Sequence, residues 1–212
     1  MALSATEIGS IVQELAPALT EGWIQKVSQP LSDTLILEIR VPGHTRRLLC
    51  SLRDDTARIH LIHQHLPNPP TPPSFCQLLR ARIQGARIDA IHQMAADRIV
   101  RLDLTSRDGS VSLIAELFNR NADLLFLDGE GRVVATLRHN KDRVGQPYQA
   151  PAAAPSRLSR LQAVAPGAEA QPQTDHDPFP LSSRLEAFYR EREAELSHQH
   201  QARSRESSLR KH

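Results

Sequence analysis

The sequence has 212 residues, and its 26 lysines and arginines nearly balance 24 aspartates and glutamates, which leaves a formal net charge of +2. This length is sufficient for one medium-sized domain and an additional segment. No apolar run reaches the roughly 18–20 residues that span a bilayer, and the N-terminus lacks a signal-peptide pattern, so we expect an intracellular protein without a membrane partner. Cys50 and Cys76 both lie in apolar segments. This placement favours reduced core residues over a disulfide framework or a cysteine-rich zinc site.

The first half of the chain predicts two helices and four strands. Ser4 and Glu7 form a capping-box pattern ahead of apolar residues at helical spacing, which predicts a helix over about 4–20. Segments rich in β-forming residues follow and predict strands at 23–27, 34–39, 47–52 and 57–62. Five prolines between 67 and 73 then exclude helix and strand, and a second capping-box pattern at 74–77 opens a short helix that ends at Gly85.

The second half of the domain is all β in its pattern. Segments 87–92, 98–104, 111–118, 123–127 and 132–137 alternate apolar and polar residues, and the glycines in 128–131 indicate a hairpin turn. Residues 1–148 therefore predict an α+β domain in which two helices pack on a mostly antiparallel β-sheet or sandwich of about nine strands.

The composition changes abruptly after this domain. Residues 146–180 hold seven prolines and eight alanines, so we expect 149–181 to be a linker with little structure. A third capping-box pattern at 183–186 predicts a helix over 182–212. Its apolar stripe is narrow, which is typical of a helix that leans on a partner or begins a coiled coil.

No arrangement of side chains in the sequence indicates catalysis. There is no nucleophile elbow and no glycine-rich phosphate loop, so we expect neither an enzyme nor a cofactor. His60, His63 and His65 are the most metal-like group. Because strand alternation places His60 opposite the other two, they are better explained as strand-edge and loop histidines than as ligands.

One stretch carries a local excess of positive charge. Between residues 80 and 101 five arginines face two aspartates, which fits either a polyanion site or a solvated helix and strand face. Within it, Asp97 and Arg98 follow a predicted hairpin turn at 94–96. Such an arginine can fork onto a phosphate or a guanine edge while the aspartate accepts from a base amine. A turn-capping aspartate beside a solvated arginine is the alternative.

Several strings of residues carry a resemblance to a known family. The proline-rich entry at 69–73 into Phe75-Cys76-Gln77-Leu78-Leu79-Arg80, the Asp97-Arg98 pair, and the segment Gly145-Gln146-Pro147-Tyr148 occur in collinear order. Together with Gly22-Trp23-Ile24 and Gln29-Pro30, they make residues 1–150 similar to the N-terminal domain of the NFACT family. This family contains bacterial fibronectin-binding-protein-A-like proteins and eukaryotic nuclear export mediator factor.

The resemblance implies a function and a fold. Family members act in ribosome-associated quality control: they bind a large ribosomal subunit that holds peptidyl-tRNA and recruit charged tRNA, alanyl-tRNA in bacteria, for template-free C-terminal tailing. It also implies a fold similar to the N-terminal domain of formamidopyrimidine-DNA glycosylases and a cytoplasmic, tRNA- and rRNA-binding protein. By carry-over and local charge, the expected tRNA-binding residues are Asp97, Arg98, Glu116, Arg120, Arg80 and Arg82.

Departures from the family pattern qualify this expectation. The second family motif reads Glu116-Leu117-Phe118-Asn119-Arg120-Asn121, with asparagines in place of the usual Gly and His. Residues 182–212 resemble the start of the family's coiled coil, whose partner segment would lie in a C-terminal part absent from this chain. The alternatives are a DNA-binding, glycosylase-like module, which Ala2 disfavours because a glycosylase has an N-terminal proline, and a fibronectin-binding adhesin.

Overall fold

The computed structural model describes residues 3–54, 56–138, 140–151 and 177–192. Helix α1 (Ala5–Leu19) precedes a meander of four strands, β1 (Trp23–Leu31), β2 (Thr34–Val41), β3 (His44–Ser51) and β4 (Arg58–Ile62). Helix α2 (Ser74–Ile83) leads into a second meander, β5 (Arg87–Gln93), β6 (Ile99–Ser106), β7 (Gly109–Glu116), β8 (Asp123–Leu127) and β9 (Val133–Thr136). A third helix, α3, runs from residue 180 to 192, the last residue described. The α+β class, the two helices of the domain and its nine antiparallel strands are confirmed.

All nine strands form one antiparallel sheet in the order β4-β3-β2-β1-β5-β6-β7-β8-β9. The two meanders join where Trp23 pairs with Arg87, and backbone hydrogen bonds from Ile24 N to Ala86 O and from Ile88 N to Gly22 O extend this junction, each 2.9 Å long. Gly22 is required here, because a Cβ atom would lie 2.6 Å from Ile39 Cγ2 and 2.8 Å from Leu19 O.

The sheet folds over so that its two halves share one core. Side chains from both meanders line the same small internal cavity: Leu35, Leu37 and Leu48 from the first half, and Leu102, Leu113 and Leu124 from the second. Helix α1 contacts β4 and β5, and α2 contacts β1 and β6, so the helices cover parts of the core that the sheet leaves open. Cys50 and Cys76 are buried free thiols, as predicted.

Of the three predicted capping boxes, only the first is confirmed. The Glu7 amide donates to Ser4 Oγ (3.2 Å) and the Ser4 amide to Glu7 Oε2 (2.7 Å). The second is wrong: Pro73 occupies the cap position of α2, and the Gln77 side chain donates from Nε2 to Pro72 O (2.7 Å) instead of to a serine cap. Gly85, at φ +86°, adopts the left-handed conformation that ends this helix.

The third capping box is wrong because α3 begins at residue 180, so that Ser183 lies inside the helix. Pro180 is its first residue, a position where the missing amide hydrogen costs nothing. The backbone amides of Leu181 and Ser182 have no acceptor within the first turn of the helix, and they donate to the carboxylate of Glu14 on α1 at 2.8 and 2.9 Å. A side chain remote in sequence therefore replaces the local cap.

The division into a domain at 1–148, a linker at 149–181 and a helix at 182–212 stays a prediction, since 152–176 and 193–212 lie outside the described residues. The described turns of α3 pack on the domain's own strand β4. Ser182 Oγ accepts from Leu61 N (3.1 Å), and Tyr189 is buried against the guanidinium of Arg58, 4.3 Å from the ring centroid. Among the described residues of this narrow apolar stripe, Leu185 and Tyr189 pack on the domain itself, whereas Phe188 is 44% exposed. No helix of the described residues is long and apolar enough to cross a bilayer.

Candidate nucleic-acid interface

A tight turn between β5 and β6 presents Asp97 and Arg98. Ala95 and Ala96 both have φ near +50°, which is unusual for residues other than glycine and produces the close reversal of a hairpin. Gln93 compensates for this conformation: its Nε2 donates to Asp97 O and to Ala5 O, both at 2.7 Å, and so joins the turn to the start of α1. The turn predicted at 94–96 is confirmed.

Asp97 and Arg98 do not pair with each other through their side chains. Asp97 Oδ1 accepts from the backbone amide of Arg98 (2.7 Å), and the Arg98 guanidinium lies over the ring of Phe118, 5.2 Å from its centroid. Among the residues that the structure describes, no carboxylate lies within ion-pair distance of Arg98. Its charge is therefore held in place by an aromatic face and stays available to an anion.

Glu116, at the end of β7, is buried and fully engaged. Only 2% of it is exposed, and its two oxygens accept from Arg143 Nη1 and Nη2 at 2.7 and 2.8 Å. The Tyr148 hydroxyl also donates to Glu116, at 3.0 Å. This forked, charge-assisted arrangement fastens the 141–148 segment to the sheet.

The environment of Glu116 fixes the protonation of its partners. The hydrogen bond to Glu116 raises the pKa of Arg143, and burial, aided by the same carboxylate, raises the pKa of the Tyr148 phenol. Asp123 lies opposite Glu116 on β8, and burial raises the pKa of this second carboxyl. Arg143 therefore remains cationic and Tyr148 remains a hydrogen-bond donor near neutral pH.

The fold brings the two predicted motifs together. Ile99 pairs with Glu116 across β6 and β7, and the Leu117 amide donates to Arg98 O at 2.8 Å. A 3₁₀ turn at Asn119–Asn121 follows and places Arg120 on the exposed surface. Asp97, Arg98, Phe118 and Arg120 thus share one end of the sheet, with Glu116 behind them.

Arg80 and Arg82 lie elsewhere. Arg80 Nε donates to Val27 O on β1 (2.8 Å), and Arg82 pairs with Asp108 in the β6–β7 hairpin (3.4 Å). That hairpin is at the opposite end of β6 from Arg98, a separation of about 25 Å along the strand. Arg82 therefore does not join the surface around Arg98, and the guanidinium of Arg80 is bound to the backbone of β1.

The three histidines do not converge. His60 is 1% exposed, accepts from Arg58 Nε and contacts Leu61 O through Nδ1 (2.8 Å), whereas His63 is exposed and lies 3.2 Å from a Glu186 oxygen. Burial, with a contribution from Arg58, lowers the pKa of His60 to about 4. No group of three potential metal ligands occurs among the described residues.

Sequence reasoning missed the residues that support this surface. No sequence pattern indicates Arg143 or Gln93, because Glu116 is 27 residues from Arg143 and Ala5, one of the two partners of Gln93, is 88 residues away. Tyr148 lies in the Gly-Gln-Pro-Tyr string that supports the resemblance, which was the one available indication of its role.

The fold defines the class of protein as an α+β domain with a large antiparallel sheet and few helices. Residues 4–207 match the family model described as NFACT N-terminal and middle domains, and the chain belongs to this family. The Rqc2 homolog RqcH of Bacillus subtilis is 33% identical over 167 residues, which cover 72% of this chain and 29% of that protein. The Rqc2 homolog RqcH of Streptococcus pneumoniae is 33% identical over 135 residues, covering 61% and 24%. Ribosome quality control complex subunit 2 of Saccharomyces cerevisiae is 34% identical over 95 residues, covering 43% and 9%.

Solved structures are similar as well. The N-terminal domain of fibronectin-binding protein PavA from Streptococcus pneumoniae superposes with a TM-score of 0.67 at 29% identity, over 73% of this chain and 66% of that one. The N-terminal part of a fibronectin/fibrinogen-binding protein from Streptococcus suis gives a TM-score of 0.65 at 25% identity, over 71% and 62%. The chain spans about a quarter of the length of the RqcH proteins it matches. The likeness to glycosylases stays a prediction.

Proposed function

We propose that this chain acts in cytoplasmic ribosome-associated quality control, where it binds tRNA and the large ribosomal subunit. Its similarity to proteins named Rqc2 homologs and ribosome quality control complex subunit 2 supports the pathway. The tRNA-binding role is supported by the surface of Asp97, Arg98 and Arg120. It is not a catalytic role: the domain positions a charged tRNA, and the ribosome forms the bond.

The observation that carries this proposal is the position of the Arg98 side chain. Its guanidinium is ordered over Phe118 and has no carboxylate partner among the described residues. An arginine kept in place in this way loses little conformational freedom when it donates two hydrogen bonds to a phosphate or a base edge. Asp97 contributes a second carboxylate oxygen, since only Oδ1 is used by the backbone. Exposed Arg120 adds a phosphate contact, and Glu116 acts from behind by holding Arg143 and Tyr148.

The test is the binding of total tRNA to the Asp97→Ala, Arg98→Ala double variant. We expect affinity to fall by roughly tenfold or more, since charge-assisted hydrogen bonds to phosphate are lost, while the melting temperature changes little. The matched control is Glu130→Ala with Arg132→Ala. This exposed acidic and basic pair occupies another hairpin turn, and its removal should leave tRNA affinity unchanged.

Sequencing of the retained tRNA then tests the substrate. Enrichment of alanine isoacceptors in the wild-type eluate, lost in the double variant, supports recruitment of alanyl-tRNA for tailing. Equal affinity of the folded double variant and the wild type would contradict the proposal.

A second candidate function is favoured by the names of the solved relatives, which are fibronectin-binding proteins. Saturable binding of this chain to immobilised fibronectin, with no retention of tRNA, would favour adhesion. Binding of tRNA with no response to fibronectin would favour the ribosomal role.

A further inference from the structure

One row of side chains crosses the outer face of the sheet at the end remote from Arg98. The strand registers place Thr45 opposite Arg40, Arg40 opposite Trp23, Trp23 opposite Arg87, Arg87 opposite Thr105, and Thr105 opposite Ser110. All six residues are exposed. At the usual spacing between strands the row is about 24 Å long. We call it the tryptophan row; its members are Thr45, Arg40, Trp23, Arg87, Thr105 and Ser110.

Trp23 is the central aromatic residue of this row and the chain's single tryptophan. Its exposed fraction is 53%, the largest among the bulky apolar residues that the structure describes, although it lies on an interior strand of the sheet. Within the described part of the chain, neither a guanidinium nor another ring covers the indole. A flat, uncovered indole on a rigid strand is suited to stacking against another planar group.

The rest of the row provides hydrogen-bond donors and positive charge. Arg40 and Arg87 flank Trp23 on the two neighbouring strands, and hydroxyl groups lie beyond them. Arg40 makes only a long bond to Thr45 Oγ1, at 3.5 Å. Asp89, just off the row, forms an ion pair with Arg87: it accepts from Arg87 Nε (3.1 Å) and lies 2.9 Å from Arg87 Nη2. Asp89 also accepts the single hydroxyl hydrogen of Thr105 (2.6 Å). These contacts order both side chains, and Arg87 Nη1 has no partner among the described residues.

We propose that the tryptophan row binds a single-stranded segment of RNA across the face of the sheet. One unpaired base stacks on Trp23, Arg40 and Arg87 contact the phosphates on either side, and the hydroxyls of Thr45 and Ser110 donate to the backbone. Aromatic stacking between cationic donors on a sheet face is how several folds bind single strands, with little dependence on base identity. Asp89 offsets the charge of Arg87, but no carboxylate pairs with Arg40 among the described residues, so the row keeps a net positive charge that complements a phosphate backbone.

This site is separate from the surface around Arg98. Arg98 and Thr105 lie at opposite ends of β6, about 23 Å apart along the strand. The inference rests on the proposed function only in taking RNA as the ligand, and it adds a second, sequence-tolerant contact. A long RNA such as tRNA or ribosomal RNA could then be held at two places on one domain.

Intrinsic fluorescence gives a direct test, because Trp23 is the only tryptophan. The intact 212-residue chain is titrated with a ten-nucleotide single-stranded RNA of mixed sequence. We expect saturable quenching of Trp23 emission. In parallel, anisotropy of the same RNA carrying a dye should show a five- to hundredfold weaker affinity for Trp23→Ala, the range expected for loss of one stacked base.

Two further variants separate stacking from charge. Arg40→Gln with Arg87→Gln should lower the slope of log affinity against log salt concentration by about 1.4, because two phosphate contacts to a single strand are lost. Leu31→Ala is the matched control for Trp23→Ala: Leu31 is 44% exposed at the other end of the same strand, and its removal should leave RNA affinity unchanged. Circular dichroism verifies that each variant is folded.

The outcomes also distinguish this inference from the proposed function. Quenching that persists in the Asp97→Ala, Arg98→Ala variant supports an independent row. Absence of quenching, with equal RNA affinity of Trp23→Ala and Leu31→Ala, would contradict RNA binding by the tryptophan row, even if tRNA binding depends on Arg98. Quenching by protein-only ribosomal fractions and not by RNA would overturn it as well. If the tryptophan row binds RNA while the Asp97→Ala, Arg98→Ala variant keeps full tRNA affinity, the proposed role of Arg98 is contradicted and the inference about the row stands.

Discussion

Glu116 is a buried carboxylate whose partners come from a distant part of the chain. A buried charge is tolerated when it is paired and its lone pairs are used, and here Arg143 and Tyr148 satisfy both conditions. The side chain of Arg143 is 25% exposed, so solvent screens part of this interaction. Glu116 therefore links the end of β7 to the 141–148 segment and supports the ring of Tyr148.

Replacing Glu116 by Gln should destabilise the domain by about 1–3 kcal/mol. The two hydrogen bonds from Arg143 to the carboxylate are then reduced to at most one, to a neutral amide oxygen. Urea denaturation followed by circular dichroism measures this change. The matched variant Glu130→Gln removes one carboxylate of the exposed Glu130–Arg132 pair, and we expect less than about 0.5 kcal/mol there. A Glu116→Gln variant as stable as Glu130→Gln would show that the buried pair does not stabilise the fold.

For single residues, the sequence predicts the role of a side chain only where its partners are close in sequence. The sequence predicts Asp97 and Arg98 at a turn because the alternating segments on either side, 87–92 and 98–104, leave a short interruption between them. Arg143 could not be assigned, because its interaction with Glu116 exists only after β7 and the 141–148 segment have been brought together. The same reason explains why Glu116, which was expected to contact tRNA directly, lies buried behind the surface.

Helix α3 covers the outer edge of β4, which would otherwise expose unpaired backbone amides. Side chains of Ser182 and Glu186, one helical turn apart, take the place of a neighbouring strand. Ser182 Oγ accepts from Leu61 N, and the Glu186 carboxylate accepts from His63 N (3.0 Å) and Gln64 N (2.9 Å). Burial alone would raise the pKa of Glu186, but the hydrogen bonds from the His63 and Gln64 amides and from the His63 side chain together outweigh it and lower this pKa, so the carboxylate is charged near neutral pH.

Removal of this carboxylate should expose the strand edge. In Glu186→Ala we expect hydrogen exchange at the His63 and Gln64 amides to accelerate by roughly tenfold or more, since their only described acceptor is lost. Exchange measured by NMR or mass spectrometry tests this. Glu191→Ala, an exposed position on the same helix, should leave these amides protected. Equal protection in both variants would mean that α3 does not cap β4.

At the level of elements, periodicity predicted almost all of the domain. Every predicted strand exists, and the observed bounds differ by a few residues. Pairing with β2 extends β1 to Leu31, whereas β9 is shorter than its alternating pattern. The capping boxes at 74–77 and 183–186 failed for a physical reason. Pro73 already occupies the cap position of α2, and Glu14 already satisfies the amides at the start of α3, so neither local serine acts as a cap.

At the scale of the whole molecule, the neutral histidine His60 is buried where helix α3 packs on strand β4. His60 lies on β4 with Arg58 beside it, and Tyr189 of α3 covers Arg58. Burial and the adjacent guanidinium lower the pKa of His60 to about 4, from 6.5 in the unfolded chain. A lowered histidine pKa stabilises the fold above pH 6.5, and this stabilisation is lost as the pH falls from 6.5 toward 4.

The free energy of unfolding should therefore fall by about 2 kcal/mol between pH 7 and pH 5, because protons bind the unfolded state preferentially over this range. Urea denaturation at the two pH values measures the difference. It should vanish in His60→Gln, whatever that variant's absolute stability, and persist in His44→Gln, where an exposed histidine is replaced. A pH difference that survives in His60→Gln would assign the effect to another group.

The order of strands in the sheet also affects how the chain folds. Every neighbouring pair except β1 and β5 joins strands that are consecutive in sequence. Most pairings therefore close short loops, which favours faster folding than the long-range pairings of Greek-key sandwiches. During synthesis the first meander, complete at Ile62, can pair before the second has been made, and residues 85–88 then provide the strand that joins the two halves.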